Sequence, residues 1–216
     1  MNRAKVFMTV LLLIGISFDV SLAQTTGQIK FTIEPESKLS FDGTSTLHSY
    51  SVDATEINGF LILDASMLKK PALVNGSGIS EVRVSIPVKK MKSGKADLDN
   101  KMYETMNADK YPDITYKLTT AYFIHLPDTS KEWIQLQTIG KLTIAGTEKT
   151  IEMTVYGYLL PHDRIRFTGN KSLLMSEFGI KKPKMMLGLL RTGDEVVVNF
   201  DLVIAMDKNK YKIIKK

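Results

Sequence analysis

The stretch EVVVNFDLVI, Glu195–Ile204, decides the fold: Val196, Val198, Phe200, Leu202 and Ile204 fall on one face, Val197, Asn199, Asp201 and Val203 on the other. Such period-two alternation is the mark of a strand that buries one face. The pattern recurs in Val82, Val84, Ile86 and Val88, in Ile134, Leu136, Leu142 and Ile144, and in Ile151, Met153, Val155 and Leu159. Gln28–Ile33, Lys38–Leu47, Tyr50–Ala54, Ile57–Leu63, Ile114–His125 and Arg164–Leu173 read as further strands. Turn-forming clusters part these runs, among them Glu34-Pro35-Glu36-Ser37, Ala145-Gly146-Thr147-Glu148 and Pro161-His162-Asp163. The tight spacing favours antiparallel neighbours, and roughly eight to ten strands in one domain predict a barrel or a sandwich.

Just before the deciding strand, Leu173–Gly193 reads LLMSEFGIKKPKMMLGLLRTG, apolar residues around a Gly/Pro-broken connection where a surface loop would be polar. One other segment breaks the alternation. Leu98, Met102 and Met106 recur every four residues behind Asp97 and Asp99, which predicts a short amphipathic helix ended by Pro112. Methionines gather in both segments, and their flexible thioethers suit either irregular core space or a mobile apolar ligand.

The chain opens on an expected export signal: Arg3 and Lys5, an apolar core from Val6 to Ile16, and small residues at Ser21-Leu22-Ala23. Residues 1–23 are therefore expected to be removed, leaving a periplasmic or secreted chain, 24–216. That length suits a single domain, with its core at about 28–206 and a basic tail at 207–216. There is no cysteine, which excludes a disulfide framework, a thiolate metal site and a cysteine nucleophile. The formal charge is +6, and five lysines lie in Lys208–Lys216. A transient contact with an anionic membrane surface through that tail is one reading, at about 1 kcal/mol per lysine; a solvated terminus is the other. No arginine-rich stripe with interleaved aromatics is present, so nucleic acid is not an expected partner.

Catalytic constellations are sparse. His48, His125 and His162 lie far apart without zinc-site spacing, and no G-x-S-x-G elbow occurs. Asp97 with Asp99 and Glu34 with Glu36 sit where helix starts and turns place acids for capping. Ser45-Thr46-Leu47-His48-Ser49 gathers hydroxyls and an imidazole on an alternating strand, either to hold a polar ligand group or to satisfy a neighbouring strand.

From about Phe31 to Ile204 the chain resembles the YceI-like, polyisoprenoid-binding family of exported bacterial proteins. The resemblance rests on Ser37-Lys38-Leu39-Ser40-Phe41 with Ser45-Thr46-Leu47-His48, Val84-Ser85-Ile86-Pro87-Val88 with Ser93-Gly94, and Leu98-Asp99-Asn100-Lys101-Met102 with Lys110-Tyr111-Pro112-Asp113-Ile114. It continues in Gly140-Lys141-Leu142-Thr143-Ile144-Ala145-Gly146 and closes with Glu177-Phe178-Gly179-Ile180, Pro183, Gly188 and Thr192-Gly193-Asp194. It implies an all-β fold: an antiparallel, lipocalin-like barrel of about eight strands with a short amphipathic helix, holding a long isoprenoid or similar amphiphilic lipid. Noncatalytic storage or transport is expected, with no cofactor other than a bound polyisoprenoid or quinone-like lipid. The expected lining comprises Phe41, Leu47, Ile86, Met102, Met106, Leu136 and Met153, and then Phe167, Leu173, Met175, Phe178, Met186 and Leu187. Ser45, His48 and Arg191 are the candidates for polar head contacts. Two rivals stay open, a filled β-sandwich that binds another envelope protein and an enzyme acting on a lipid or quinone, and a homodimer is left open as well.

Overall fold

The computed structural model describes residues 27–45, 48–65, 78–125, 133–181, 184–185 and 190–207. The expected leader, the lysines of the tail, and Leu47, Met186 and Leu187 lie outside them.

Among the described residues twelve strand segments form: β1 (Gln28–Ile33), β2 (Lys38–Ser45), β3 (Ser49–Ala54), β4 (Asn58–Asp64), β5 (Ile79–Pro87) and β6 (Met91–Lys92). After helix α1 (Ala96–Thr105) come β7 (Asp113–His125), β8 (Trp133–Ile144), β9 (Thr147–Leu160), β10 (Arg164–Leu174), β11 (Lys184–Met185) and β12 (Leu190–Met206). Their pairing resolves into a closed eight-stranded antiparallel barrel. β1 and β2 run in succession along β12, from Phe31 opposite Met206 to Ser45 opposite Thr192. β3 and β4 pair with β2 and β1, and β6 and β5 pair with β3 and β4. Three strand lines are thus each broken once, at residues 34–37, 55–57 and 88–90, side by side in the wall. With β7, β8, β9, β10 and β12 they make an up-and-down meander that closes on itself.

The breaks are stitched by side chains. The Ser37 hydroxyl donates to Val203 O at 3.1 Å and accepts from Val203 N at 3.0 Å, holding the β1–β2 kink to β12. Thr55 spans the second break, giving both its N–H, at 2.9 Å, and its hydroxyl, at 2.7 Å, to Lys90 O. At the β9–β10 hairpin, His162 and Asp163 both take positive φ, 65° and 55°, which matches the twist of the flanking strands.

Two element boundaries differ from expectation. Helix α1 stops well before Pro112, because Asn107 adopts φ 51° while its N–H returns to Glu104 O and that of Ala108 to Tyr103 O. Asparagine tolerates the left-handed conformation, and these two bonds satisfy the last carbonyls. The final strand begins at Leu190 rather than near Glu195: its register against β2 shifts between Thr192 and Val196. That irregularity breaks the alternation, so the sequence pattern starts only beyond it.

Candidate functional site

Alternation aims one face of every strand inward, and the inward faces do not meet. They enclose a cavity of about 450 Å3. On β8 its wall runs from Ile134 to Ile144, about 30 Å along the strand at the usual rise per residue, so the space is elongated. Ile151, Met153 and Val155 of β9, Ile165, Phe167 and Leu173 of β10, and Val198, Phe200, Leu202 and Ile204 of β12 continue the wall. Leu159 belongs to it and is 55% exposed, so the lining runs out to the surface beside the β9–β10 hairpin.

One end of the barrel is filled. Val88, Met91, Met106, Ala108, Phe178 and Ile180 are buried there together, with Met102, Tyr103 and Met175 packed against them. Helix α1 is fastened to this packing by its own polar groups. Buried Asp99 accepts from Ser93 N at 2.7 Å and Ser93 Oγ at 2.6 Å, with Lys92 Nζ at 3.8 Å. Burial alone would raise its carboxyl, but the Ser93 hydroxyl and amide and the Lys92 charge outweigh it and hold the group below the ordinary carboxylate value. Tyr103 Oη donates to Met91 O at 2.7 Å and accepts from Lys92 Nζ at 2.8 Å. Between β10 and β12 the one-turn helix Met175–Phe178 ends at Gly179, whose φ of 68° lets the chain reverse and keeps Phe178 only 2% exposed.

The wall is split at two places. β9 and β10 pair only from Tyr156–Thr168 to Leu160–Arg164, and the rest of each strand has no partner in the other. β5 and β7 pair only from Arg83–Lys117 to Pro87–Asp113. Arg83 and Phe60 flank the second split and contribute to the cavity wall; the Arg83 guanidinium is paired with Glu81.

The family model for the YceI-like domain matches residues 15–204. The chain belongs to the YceI-like family. Solved structures similar to this YceI-like chain include Burkholderia cenocepacia BcnA, at 17% identity and a TM-score of 0.61 over 79% of this chain and 98% of that one. A polyisoprenoid binding domain from Saccharophagus degradans, implicated in plant cell wall breakdown, has 13% identity and a TM-score of 0.62 over 82% and 98%. The Campylobacter jejuni YCEI protein has 18% identity and a TM-score of 0.53 over 73% and 84%. Among curated proteins, none matches. The shared barrel is what these likenesses establish.

Within this YceI-like barrel the expected site residues separate. Phe41, Ile86, Leu136, Met153, Phe167 and Leu173 stand in the cavity wall. Met102, Met106, Met175 and Phe178 do not; they belong to the filled end, where the helix and the one-turn segment direct them. Ser45 and His48 form the β2–β3 turn, Ser45 Oγ donating to His48 O at 2.7 Å, and neither reaches the cavity. Arg191 lies on β12 opposite Lys184, and its side chain is outside what the structure describes. The residues missed are the polar ones in the wall: Arg83, Tyr116, Thr138 and Lys171. For three of them a signal existed, since Tyr116 is in phase with Ile114, Thr138 with Leu136, and Lys171 with Phe167 and Leu173. A barrel enclosing a cavity also differs from the filled sandwich of the interaction-module reading.

Proposed function

We propose that this protein binds a long-chain isoprenoid or a similar amphiphilic lipid inside the barrel and stores or carries it unchanged in the periplasm. The observation that carries the reading is the elongated apolar cavity of about 450 Å3. A dry cavity of this size lined by Leu, Ile, Val and Phe loses dispersion contacts and gains them back only with an apolar occupant. At ~25 cal/mol per Å2, covering several hundred Å2 of tail contributes on the order of 10 kcal/mol before ordering costs are subtracted. The polyisoprenoid binding domain among the structural neighbours supports the same ligand class.

Protein purified from its native source and extracted into organic solvent is expected to yield a prenyl lipid by mass spectrometry. Lipid added to the stripped protein should be recovered chemically intact. No extractable lipid together with no binding of added prenols would overturn the reading, and a converted lipid would overturn its noncatalytic part.

A further inference from the structure

Apart from Arg83, whose guanidinium is paired with Glu81 at the β5–β7 split, the cavity wall is apolar except at one level. Tyr116 stands on the inward face of β7, and its ring fills the space that a Cβ on Gly140 would occupy, which carries its hydroxyl along β8 to Thr138. The Thr138 hydroxyl gives its own proton to Met153 O at 3.0 Å. Among the described residues, Tyr116 Oη is buried with no partner in hydrogen-bond geometry. A buried hydroxyl in that state is destabilising, and a native fold that keeps one points to a ligand group that satisfies it. Burial also pushes the Tyr116 phenol above its ordinary value, against a smaller opposing effect from Thr138, so at neutral pH it is a donor.

Lys171 lies at the same level. Thr138 faces Met153 across β8 and β9, and continuing the β9–β10 register past Thr168–Tyr156 sets Lys171 opposite Met153. That is where the β9–β10 pairing has stopped. Lys171 is in phase with the inward residues Ile165, Phe167 and Leu173, lines the cavity, is only partly exposed, and makes no ion pair among the described residues. A cation on the inward face of a lipid-sized cavity, beside an unpaired stretch of wall, is costly without an anion to meet it.

We infer that Tyr116 and Lys171, with Thr138 between them, form a polar belt that receives an oxyanion head, a carboxylate or a phosphate, of the bound amphiphile at the β9–β10 split. Tyr116 Oη donates one hydrogen bond to the head, Lys171 Nζ supplies the charge, and the tail fills the apolar wall. The inference rests on the lipid-binding reading above and adds to it the head chemistry and its place.

The test is calorimetric titration of the lipid-stripped full chain with probes of one prenyl tail: geranylgeranyl phosphate, geranylgeranoic acid, geranylgeraniol and the corresponding hydrocarbon. The oxyanion probes are expected to bind ten- to a hundredfold tighter than the alcohol. Lys171→Met should remove most of that advantage while leaving the hydrocarbon unaffected. Tyr116→Phe should weaken every oxygen-bearing probe about fivefold and spare the hydrocarbon. A preference for phosphate over carboxylate, or the reverse, identifies the source of the head and upholds the belt. Equal binding of all four probes, or variants that leave the head preference intact, overturns the belt and leaves the lipid-binding reading standing. Failure of every probe to bind removes both.

Discussion

The filled end of the barrel and the cavity are built from the same strands and differ in what closes over them. At the filled end, α1, the one-turn helices and the three broken strand lines bring in Met91, Met106, Ala108 and Phe178, and side chains meet. Farther along, β8, β9, β10 and β12 face one another with nothing inserted, and side chains as large as Phe167 and Phe200 still leave about 450 Å3 empty. Inward alternation alone therefore makes a container, and packing is complete only where non-strand elements are added. The lesson for the methionines is direct: most of those expected beside a ligand serve as the plug.

Truncating the plug should give the largest effect. Phe178→Ala is expected to cost about 3–5 kcal/mol in urea unfolding with little change in lipid affinity. A variant that keeps its stability and loses lipid would make Phe178 part of the binding wall and erase the distinction. The converse substitution sits in the wall. Leu136→Trp places its added volume in the cavity, so lipid affinity should fall about a hundredfold while stability changes by less than about 1.5 kcal/mol; undiminished binding would mean that the occupied space lies elsewhere.

Smaller effects test how the plug is held. Asp99 has a lowered carboxyl in the folded protein, so its contribution is complete above the unfolded carboxylate value of about 3.9 and is lost as pH falls through the depressed folded value. Asp99→Asn should cost about 1–2 kcal/mol at pH 7, and the gap from wild type should close on acidification in pH-dependent melting. A gap independent of pH would mean that shape, not charge, holds Ser93. Tyr103→Phe removes the bond to Met91 O and should cost about 1 kcal/mol by thermal melting, with lipid titration unchanged.

Most strands were legible because a one-face pattern survives wherever the wall is regular: Ile134 to Ile144 and Val196 to Ile204 announce themselves. From the residues alone the fold was legible as a barrel or a sandwich, since tight turns between alternating runs favour antiparallel neighbours; the family resemblance pointed to the barrel. The breaks were harder, because Pro87-Val88 continues an apolar alternation while the backbone leaves the strand for one turn. The site was half legible. Its apolar wall follows from alternation, but Lys171 and Thr138 are polar residues in an apolar phase, and it is the phase that turns them inward. The polar candidates Ser45 and His48 stand away from the cavity for the complementary reason: their hydroxyl and imidazole suggest recognition, whereas their position beyond the last β2–β3 pair, Thr44 with Ser49, places them in a turn.

The meander has a consequence for how the chain gets there. Counted as eight strand lines, with each broken line taken whole, every pairing joins lines that follow one another along the chain except the seam, where Phe31 meets Met206 and Ser45 meets Thr192. Loop-closure entropy makes that seam the costliest contact to form, so it limits the folding rate more than any hairpin does. Until it closes, β12 and the β1–β2 line are two open sheet edges carrying Val196, Val198 and Phe200 beside unpaired backbone, the arrangement most prone to pairing with another chain. Ser37, which bridges both backbone groups of Val203, sits on that seam and is thereby a latch against aggregation.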